Sequence, residues 1–465
     1  MTTASPDPAP GNTPSPDPAQ RKREQRGWYM YDWANQVFIT SVVTVLIGPY
    51  LSGLACAAAG APDTTVCTGG PYYVYPLGIK LHANALYPAV TTTAILLQIM
   101  LLPVVGAMAD RSRHKKRWLF WLAFTGSVAV SALYLAGDRW LPAAALFLVA
   151  NVVYGASLAV FNSFLPEIAT PDERDRVSST GWALAYLGGA TMLAAHLALV
   201  LMADDLGLGQ ADAVRIAFAS AGVWWAGFTV LALRPLRNRY TDLALSARRP
   251  TPKLTVVQFA RTVKGMRRYP QTLLFLLAFI LFNDGIQAAV RYAAPFATQD
   301  LRIGQEVMMG TILMIQFVAF GGALAVGRLA RVTGPKNAVL ATLGVWCVLV
   351  TLGYLLPAGE PVLFMALGVG IALVLGGSQA LARALFSQLI PHGREAEYFA
   401  VYQISDRGST FLGSLAVTVA VTLTGGYRVA IFSLIAFFIL GGFLLWRTDF
   451  RKGIRDVGNE EPERV

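Results

Sequence analysis

Residues 84–116 read NALYPAVTTTAILLQIMLLPVVGAMADRSRHKK. Residues 84–109 contain no charged side chain, whereas four of the last six residues are basic. An α-helix rises 1.5 Å per residue, so about 20 apolar residues cross the roughly 30 Å hydrocarbon core of a bilayer. This stretch therefore predicts a transmembrane helix that ends in a basic loop.

The same alternation of apolar blocks and basic loops continues along all 465 residues, of which 55% are hydrophobic and 14% charged. Soluble chains carry about 25% charged residues. The long continuous blocks favour helices over the short alternating strands of a membrane β-barrel. They predict an all-α integral membrane protein with twelve spans, at residues 28–54, 84–109, 117–136, 141–165, 179–203, 213–233, 271–298, 306–327, 337–356, 361–385, 399–423 and 426–446.

Polar segments divide the spans into two halves. The first 20 residues hold six prolines and almost no large apolar side chain, a composition typical of disorder. We therefore predict five parts: a disordered cytoplasmic tail (1–27), an N-terminal six-helix half (28–233), a cytoplasmic linker (234–270), a C-terminal six-helix half (271–446) and a cytoplasmic tail (447–465).

The formal net charge of +11 reflects membrane orientation. Of 38 Lys and Arg residues, 30 lie on the side of the two termini, 5 on the other side and 3 within or at the edge of spans. Loops rich in Lys and Arg face the cytoplasm. Both termini are therefore predicted to be cytoplasmic, and a nucleic-acid groove is not indicated.

Cys56 and Cys67 share the first external loop, where an oxidising environment permits a disulfide. Two free thiols are the equally weighted alternative. The chain has no CxxC pair, no HExxH pattern and no Walker A motif, and its four histidines are scattered. We therefore predict no metal, no cofactor and no enzymatic activity.

The loop after span two carries Gly106, Asp110 and Arg111, followed by further basic residues. A carboxylate at such a helix end can meet a facing helix N-terminus, whose dipole favours negative charge. The spacing resembles the loop motif of the major facilitator superfamily, and the resemblance implies that Asp110 latches one access state. Simple positive-inside charge is the alternative. The loop after span eight repeats the pattern with Arg331 in place of the acid.

Spans one and seven share a second pattern of an aromatic residue, an Asp and amide side chains. An intramembrane carboxylate costs about 2.5 to 3.5 kcal/mol, so it usually faces the bundle interior or water. Asp284 lies near midspan. Asp32, near the cytoplasmic end of its span, either lines a cavity or caps the helix or snorkels to the interface. Arg291 either pairs with an acid, binds an anionic substrate group or snorkels outward. The predicted substrate or proton pathway comprises Asp284, Asp32, Asn283, Asn35, Gln287 and Arg291.

Further motifs occur at residues 162–169 and 176–189, after span four, and at residues 379–391 and 393–399, after span ten. Together with Tyr31–Asn35 and Asn283–Gly285, they resemble the fungal autophagy-related vacuolar amino-acid effluxers and their bacterial relatives, a branch of the major facilitator superfamily. The resemblance implies the major facilitator fold and amino-acid efflux. Because the loops are short, as in the bacterial members, and no organelle address is evident, we expect a prokaryotic plasma membrane.

These features predict a secondary active transporter that moves a small solute by alternating access. Proton coupling through Asp284, together with Asp32, is expected from their depth in the spans. The expected partners are the solute, protons and the lipid bilayer, and the chain is expected to work as a monomer. A non-transporting sensor or lipid-handling protein on the same fold is the alternative.

Overall fold

The computed structural model describes residues 17–61, 67, 70, 72–239, 264–408, 410–424 and 426–465. The predicted tail up to residue 16 and linker residues 240–263 lie outside this part of the chain. Eleven of the described helices are long and apolar enough to cross a membrane. Two further helices, on either side of residue 409, cover the predicted eleventh span. The helical membrane fold is confirmed, and the helices are consistent with twelve spans.

The first half contains six spans and a small hairpin. Strands β1, Tyr73–Val74, and β2, Leu81–His82, pair antiparallel between spans one and two. Span one joins α-helix Pro18–Val37, π-helix Phe38–Leu46 and α-helix Ile47–Ala58; spans two to six are Leu86–Asp110, Lys115–Ala136, Trp140–Asn162, Arg174–Leu201 and Gln210–Leu233. A short helix, Leu165–Ile168, and the 3₁₀ turn Pro171–Glu173 connect spans four and five.

The second half repeats the arrangement. Span seven is Pro270–Pro295 and continues as the π-helix Phe296–Asp300. Spans eight to ten are Gln305–Thr333, Pro335–Leu355 and Pro361–Gln388. Span eleven comprises Glu395–Gly408 and Thr410–Thr424, and span twelve Tyr427–Ser433 and Ile435–Arg447. A last helix, Phe450–Asp456, follows.

The predicted disorder of residues 1–27 is wrong for residues 18–27. Asp17 caps a helix there, accepting a hydrogen bond from the Ala19 amide at 3.2 Å. The helix packs on the first half, where the Gln25 amide group donates to the Ile168 carbonyl at 3.0 Å. The composition of the segment suggested disorder because composition carries no information on such tertiary contacts.

Each half has its own apolar core, and the halves meet along spans two, four, five, eight, ten and eleven. We call the side on which span one begins and span twelve ends the terminal face, and the other side the opposite face. Close approach of the halves near the terminal face requires glycine. A Cβ atom on Gly106 would lie 2.6 Å from the Ala396 carbonyl oxygen, and one on Gly327 would lie 2.6 Å from the Ser179 Cβ.

Candidate transport pathway and gate

A buried ion pair joins the two halves near the terminal face. Arg383, in span ten, donates from both terminal guanidinium nitrogens to Asp32 Oδ2 in span one, each at 3.2 Å. The Arg383 and Asp32 side chains are only 5% and 8% exposed. Asp32 is therefore neither a cap nor a snorkelling residue, since its carboxylate is a cross-half partner of an intramembrane arginine.

Arg383 also contacts two more spans of the first half, four and five. Its Nε donates to Ser178 Oγ at 2.9 Å, a terminal nitrogen donates to the Ser178 carbonyl at 3.1 Å, and another donates to Asn162 Oδ1 at 3.2 Å. Its guanidinium also lies over the Trp28 ring at 4.5 Å and near the Trp182 ring at 5.6 Å. One side chain of the second half is thus held by spans one, four and five.

Sequence reasoning named Asp32 and missed Arg383 as its partner. An arginine five residues inside the end of span ten is costly in hydrocarbon unless it meets an acid at its own depth. This energetic cost could have identified Arg383 as a residue that needs an acidic partner. The sequence could not identify the acid, because the two residues lie 351 positions apart.

The loop after span two makes a second contact between the halves. Asp110 accepts hydrogen bonds from the Ala396 and Glu397 amides at 2.9 and 2.8 Å, at the start of span eleven. Lys115 lies 3.9 Å from Asp110 and 2.6 Å from Glu167. The carboxylate therefore lies on a facing helix N-terminus, the geometry that its spacing from Gly106 predicts.

The corresponding loop of the second half is different. Arg331 is exposed, and its carbonyl, rather than its side chain, accepts a bond from Arg464 at 2.6 Å. Gly327 keeps the close packing on span five. Arg111, in the loop of the first half, is the C-cap residue of span two. The loop after span eight thus keeps the close glycine contact between the halves, but it has no counterpart of the Asp110 contact with a helix N-terminus.

A third cross-half contact involves Arg174, at the start of span five. Its guanidinium donates to the Ser387 carbonyl and to Gln388 Oε1, both at 2.9 Å, at the end of span ten. The Gln388 amide group in turn donates to the Pro171 carbonyl at 2.8 Å. Side chains of both halves therefore interlock at the terminal face.

The predicted midspan acid lies between spans seven and eleven. Asp284 is buried, and its Oδ2 accepts from the Gly413 amide at 2.6 Å. Its Oδ1 is buried without a hydrogen-bond partner among the described residues. Its neighbour Asn283 donates to Asp406 Oδ1 at 2.8 Å. Asp406 is a second intramembrane acid, in the predicted eleventh span, that sequence reasoning did not single out.

The other predicted pathway residues occupy different surroundings. Gln287 interacts with Asp406, so it belongs to the cluster of spans seven and eleven. Arg291 is exposed and donates to Ser414 Oγ at 3.2 Å. Asn35 is buried one turn beyond Asp32 in span one. The predicted residues therefore form two groups, one around Asp32 near the terminal face and one around Asp284 between spans seven and eleven.

The halves also touch deeper in the membrane. Gln316 of span eight donates to Thr40 Oγ1 at 3.0 Å, and Thr40 belongs to the π-helical part of span one. Within the described residues, the hydrogen bonds that join the halves lie between this level and the terminal face. The structure therefore has its terminal face closed.

On the opposite face, a disulfide joins Cys56, in the last turn of span one, to Cys67 in the loop that follows. Of the two alternatives that the sequence leaves open, the structure contains the bridge. Within the described ranges, no group of three or more His, Cys, Asp and Glu residues is placed to hold a metal ion.

Comparisons with known proteins agree with this architecture. An uncharacterised MFS-type transporter, YxiO, from Bacillus subtilis (strain 168) is 27% identical, covering 91% of this chain and 94% of its own. Autophagy-related protein 22 from Pyricularia oryzae is 24% identical, covering 93% and 77%.

Solved structures share the fold at low sequence identity. The E. coli fucose:proton symporter FucP has a TM-score of 0.67 at 10% identity and covers 93% of this chain and 99% of its own. The human organic anion transporter MFSD10 has a TM-score of 0.63 at 14% identity, covering 91% and 99%. The family profile described as "Vacuole effluxer Atg22 like" matches residues 20–458. The chain therefore belongs to the Atg22-like family of major facilitator superfamily transporters, which confirms the predicted family and fold.

Proposed function

We propose that this protein is a secondary transporter that moves a small solute by alternating access, with its terminal face in the cytoplasm. The transporter family and the two six-span halves support this function. The concentration of Lys and Arg in the loops on the side of the termini supports the orientation. In this proposal the structure is a state whose cytoplasmic side is closed.

The observation that carries the proposal is the network around Arg383. A buried ion pair stabilises an interface no better than well-packed apolar residues do. Its advantage is reversibility, because water can solvate both Arg383 and Asp32 once the halves separate, whereas exposed apolar surface would resist opening. A charged, hydrogen-bonded contact between halves therefore suits a gate.

The proposed activity is efflux of an amino acid. The family name, vacuole effluxer, supports efflux. The site supports a charged solute, because Asp284 has a buried oxygen without a hydrogen-bond partner among the described residues and can accept an ammonium hydrogen. Arg291 lies two helical turns from Asp284 in the same span and supplies a donor for a carboxylate.

We further propose that Asp284 couples transport to protons. A carboxyl group held by one backbone amide, with a second buried oxygen, can alternate between a protonated and an ionised form as its surroundings change. The matched control for this role is Asp138, an exposed acid in the loop between spans three and four whose partner, Arg215, is also in the first half.

The test is amino-acid flux in proteoliposomes with and without a pH gradient. Candidate amino acids are first identified by thermal shift, since a ligand of the folded state raises apparent stability. Asp284→Asn should abolish the dependence of flux on the gradient, whereas Asp138→Asn should retain it. Unchanged rate and pH dependence in Asp284→Asn would contradict proton coupling. Stabilisation by a ligand without any flux would favour a sensor over a transporter.

A further inference from the structure

The two loops that carry the repeated glycine motif are not equivalent in their contacts. In the first half, Gly106 allows close approach and Asp110 accepts hydrogen bonds from amides at the start of span eleven, across the interface. We call this contact between the halves the first clasp. Gly327 precedes Arg331 by the same four residues and packs on Ser179, near the start of span five. The position that would hold the second clasp therefore has a base in place of the acid.

The C-terminal segment lies at this position. The helix Phe450–Asp456 is anchored on the second half, where Phe450 and Ile454 are buried and a Cβ atom on Gly453 would lie 2.7 Å from Leu389. After it, the Asn459 amide group donates to the carbonyls of Gln388 and Ile390 at 2.7 and 2.9 Å. We call residues 457–465 the C-terminal strap.

The end of the strap joins the halves. The Arg464 guanidinium donates to the carbonyls of Arg331 and Val332, at 2.6 and 2.9 Å, where the C-terminal end of span eight favours a cation. The neighbouring Glu463 amide donates to Asp172 Oδ1 at 2.7 Å. Asp172 belongs to the turn that begins span five, in the first half.

We propose that the C-terminal strap is the second clasp of the terminal face and takes over the role that an acid at position 331 would have. The inference rests on the proposed alternating access. Each opening of the terminal face has to detach the strap from Asp172, while Asn459 and Arg464 keep it attached to the second half. The strap thereby sets the balance between the closed and open terminal face.

The strap contact is weak enough to be reversible. One exposed hydrogen bond, from the Glu463 amide to Asp172, crosses between the halves in the described part of the strap, and the Glu460 carboxylate attracts Arg174 of the first half. The net contribution of such a bond corresponds to a change of about threefold to tenfold in an equilibrium constant. Loss of the strap should therefore shift the balance by that factor without unfolding the protein.

A buried reporter thiol measures the opening. Ser179→Cys places a thiol under Gly327, where the native side chain is 2% exposed, in a Cys347→Ser background that lacks the free cysteine. The rate of its reaction with a maleimide is measured for deletion of residues 459–465 and for Asp172→Ala. Glu461→Gln is the matched control, because it removes an ion pair to Arg455 that stays within the C-terminal segment. Asp110→Asn, which weakens the first clasp, shows how far the labelling rate rises when a known contact between the halves is weakened.

We expect the deletion and Asp172→Ala each to raise the labelling rate about threefold to tenfold. Glu461→Gln should leave the rate unchanged, and all variants should remain folded at the temperature of the assay. A rate that neither the deletion nor Asp172→Ala alters, while Asp110→Asn raises it, would overturn the strap alone. A rate that Asp110→Asn also fails to alter would overturn the alternating-access function on which the strap rests.

Discussion

Replacement of Arg383 by glutamine should open the terminal face. The substitution removes the guanidinium that joins span ten to spans one, four and five. It leaves Asp32, 8% exposed, without its cationic partner in the closed state. A glutamine amide is too short to restore the contacts with Asp32, Asn162 and Ser178 together.

The size of the effect follows from the burial of the pair. Removal of one partner of a buried ion pair costs about 3 to 5 kcal/mol, because the remaining charge is neither paired nor solvated. In the open state, water solvates Asp32, so this cost falls on the closed state alone. At about 1.4 kcal/mol per factor of ten, the ratio of open to closed protein should rise by about two to four orders of magnitude.

The assay is the reaction of a Ser179→Cys reporter with a maleimide in purified, correctly folded protein. Arg447→Gln is the matched control, since Arg447 lies over the Phe443 ring, which belongs to the same half. Asp32→Asn combined with Arg383→Gln should recover part of the closure, because the unpaired charge is then absent. A labelling rate in Arg383→Gln equal to that of Arg447→Gln would refute the interpretation of the pair as a gate.

Three further predictions concern the clasp, the packing of the halves and the external loop. Asp110→Asn should raise labelling of the same reporter by a smaller factor, about fivefold to thirtyfold, because a carboxylate at a helix N-terminus contributes about 1 to 2 kcal/mol when partly buried. Gly106→Ala should prevent full closure of the terminal face, since its Cβ atom would overlap a carbonyl oxygen at 2.6 Å, whereas Gly321→Ala, with no atom within 4 Å, should label like the parent. Joint replacement of Cys56 and Cys67 by serine should lower the free energy of unfolding by about 2 to 3 kcal/mol, measured by denaturant titration, and reduction of the parent should have the same effect.

The fold was largely predictable because hydropathy reports directly on membrane depth. Apolar blocks located the spans, and the spacing of Gly106 and Asp110 predicted a carboxylate on a facing helix N-terminus. The helix that begins at Pro18 was missed because its stability depends on partners such as the Ile168 carbonyl, which is far away in the sequence.

The sequence could identify single charged residues of the candidate site, but it could not identify which of them pair. Asp32 and Asp284 were identified because acids within spans are costly, and the same argument applies to Asp406 and Arg383. A single sequence gives the depth of each charge and does not give its orientation around the helix axis or the docking of the two halves. The pairing of Asp32 with Arg383 depends on both of these.

The most direct test of the central claim is counterflow of labelled amino acids in proteoliposomes, with the terminal face free or covalently locked by a cross-link between the two halves. Alternating access predicts saturable exchange of at least one amino acid, and its loss when the lock is formed and its return when the lock is released. Exchange that continues at the same rate through the locked protein, or no saturable exchange of any amino acid by folded protein, would contradict the account.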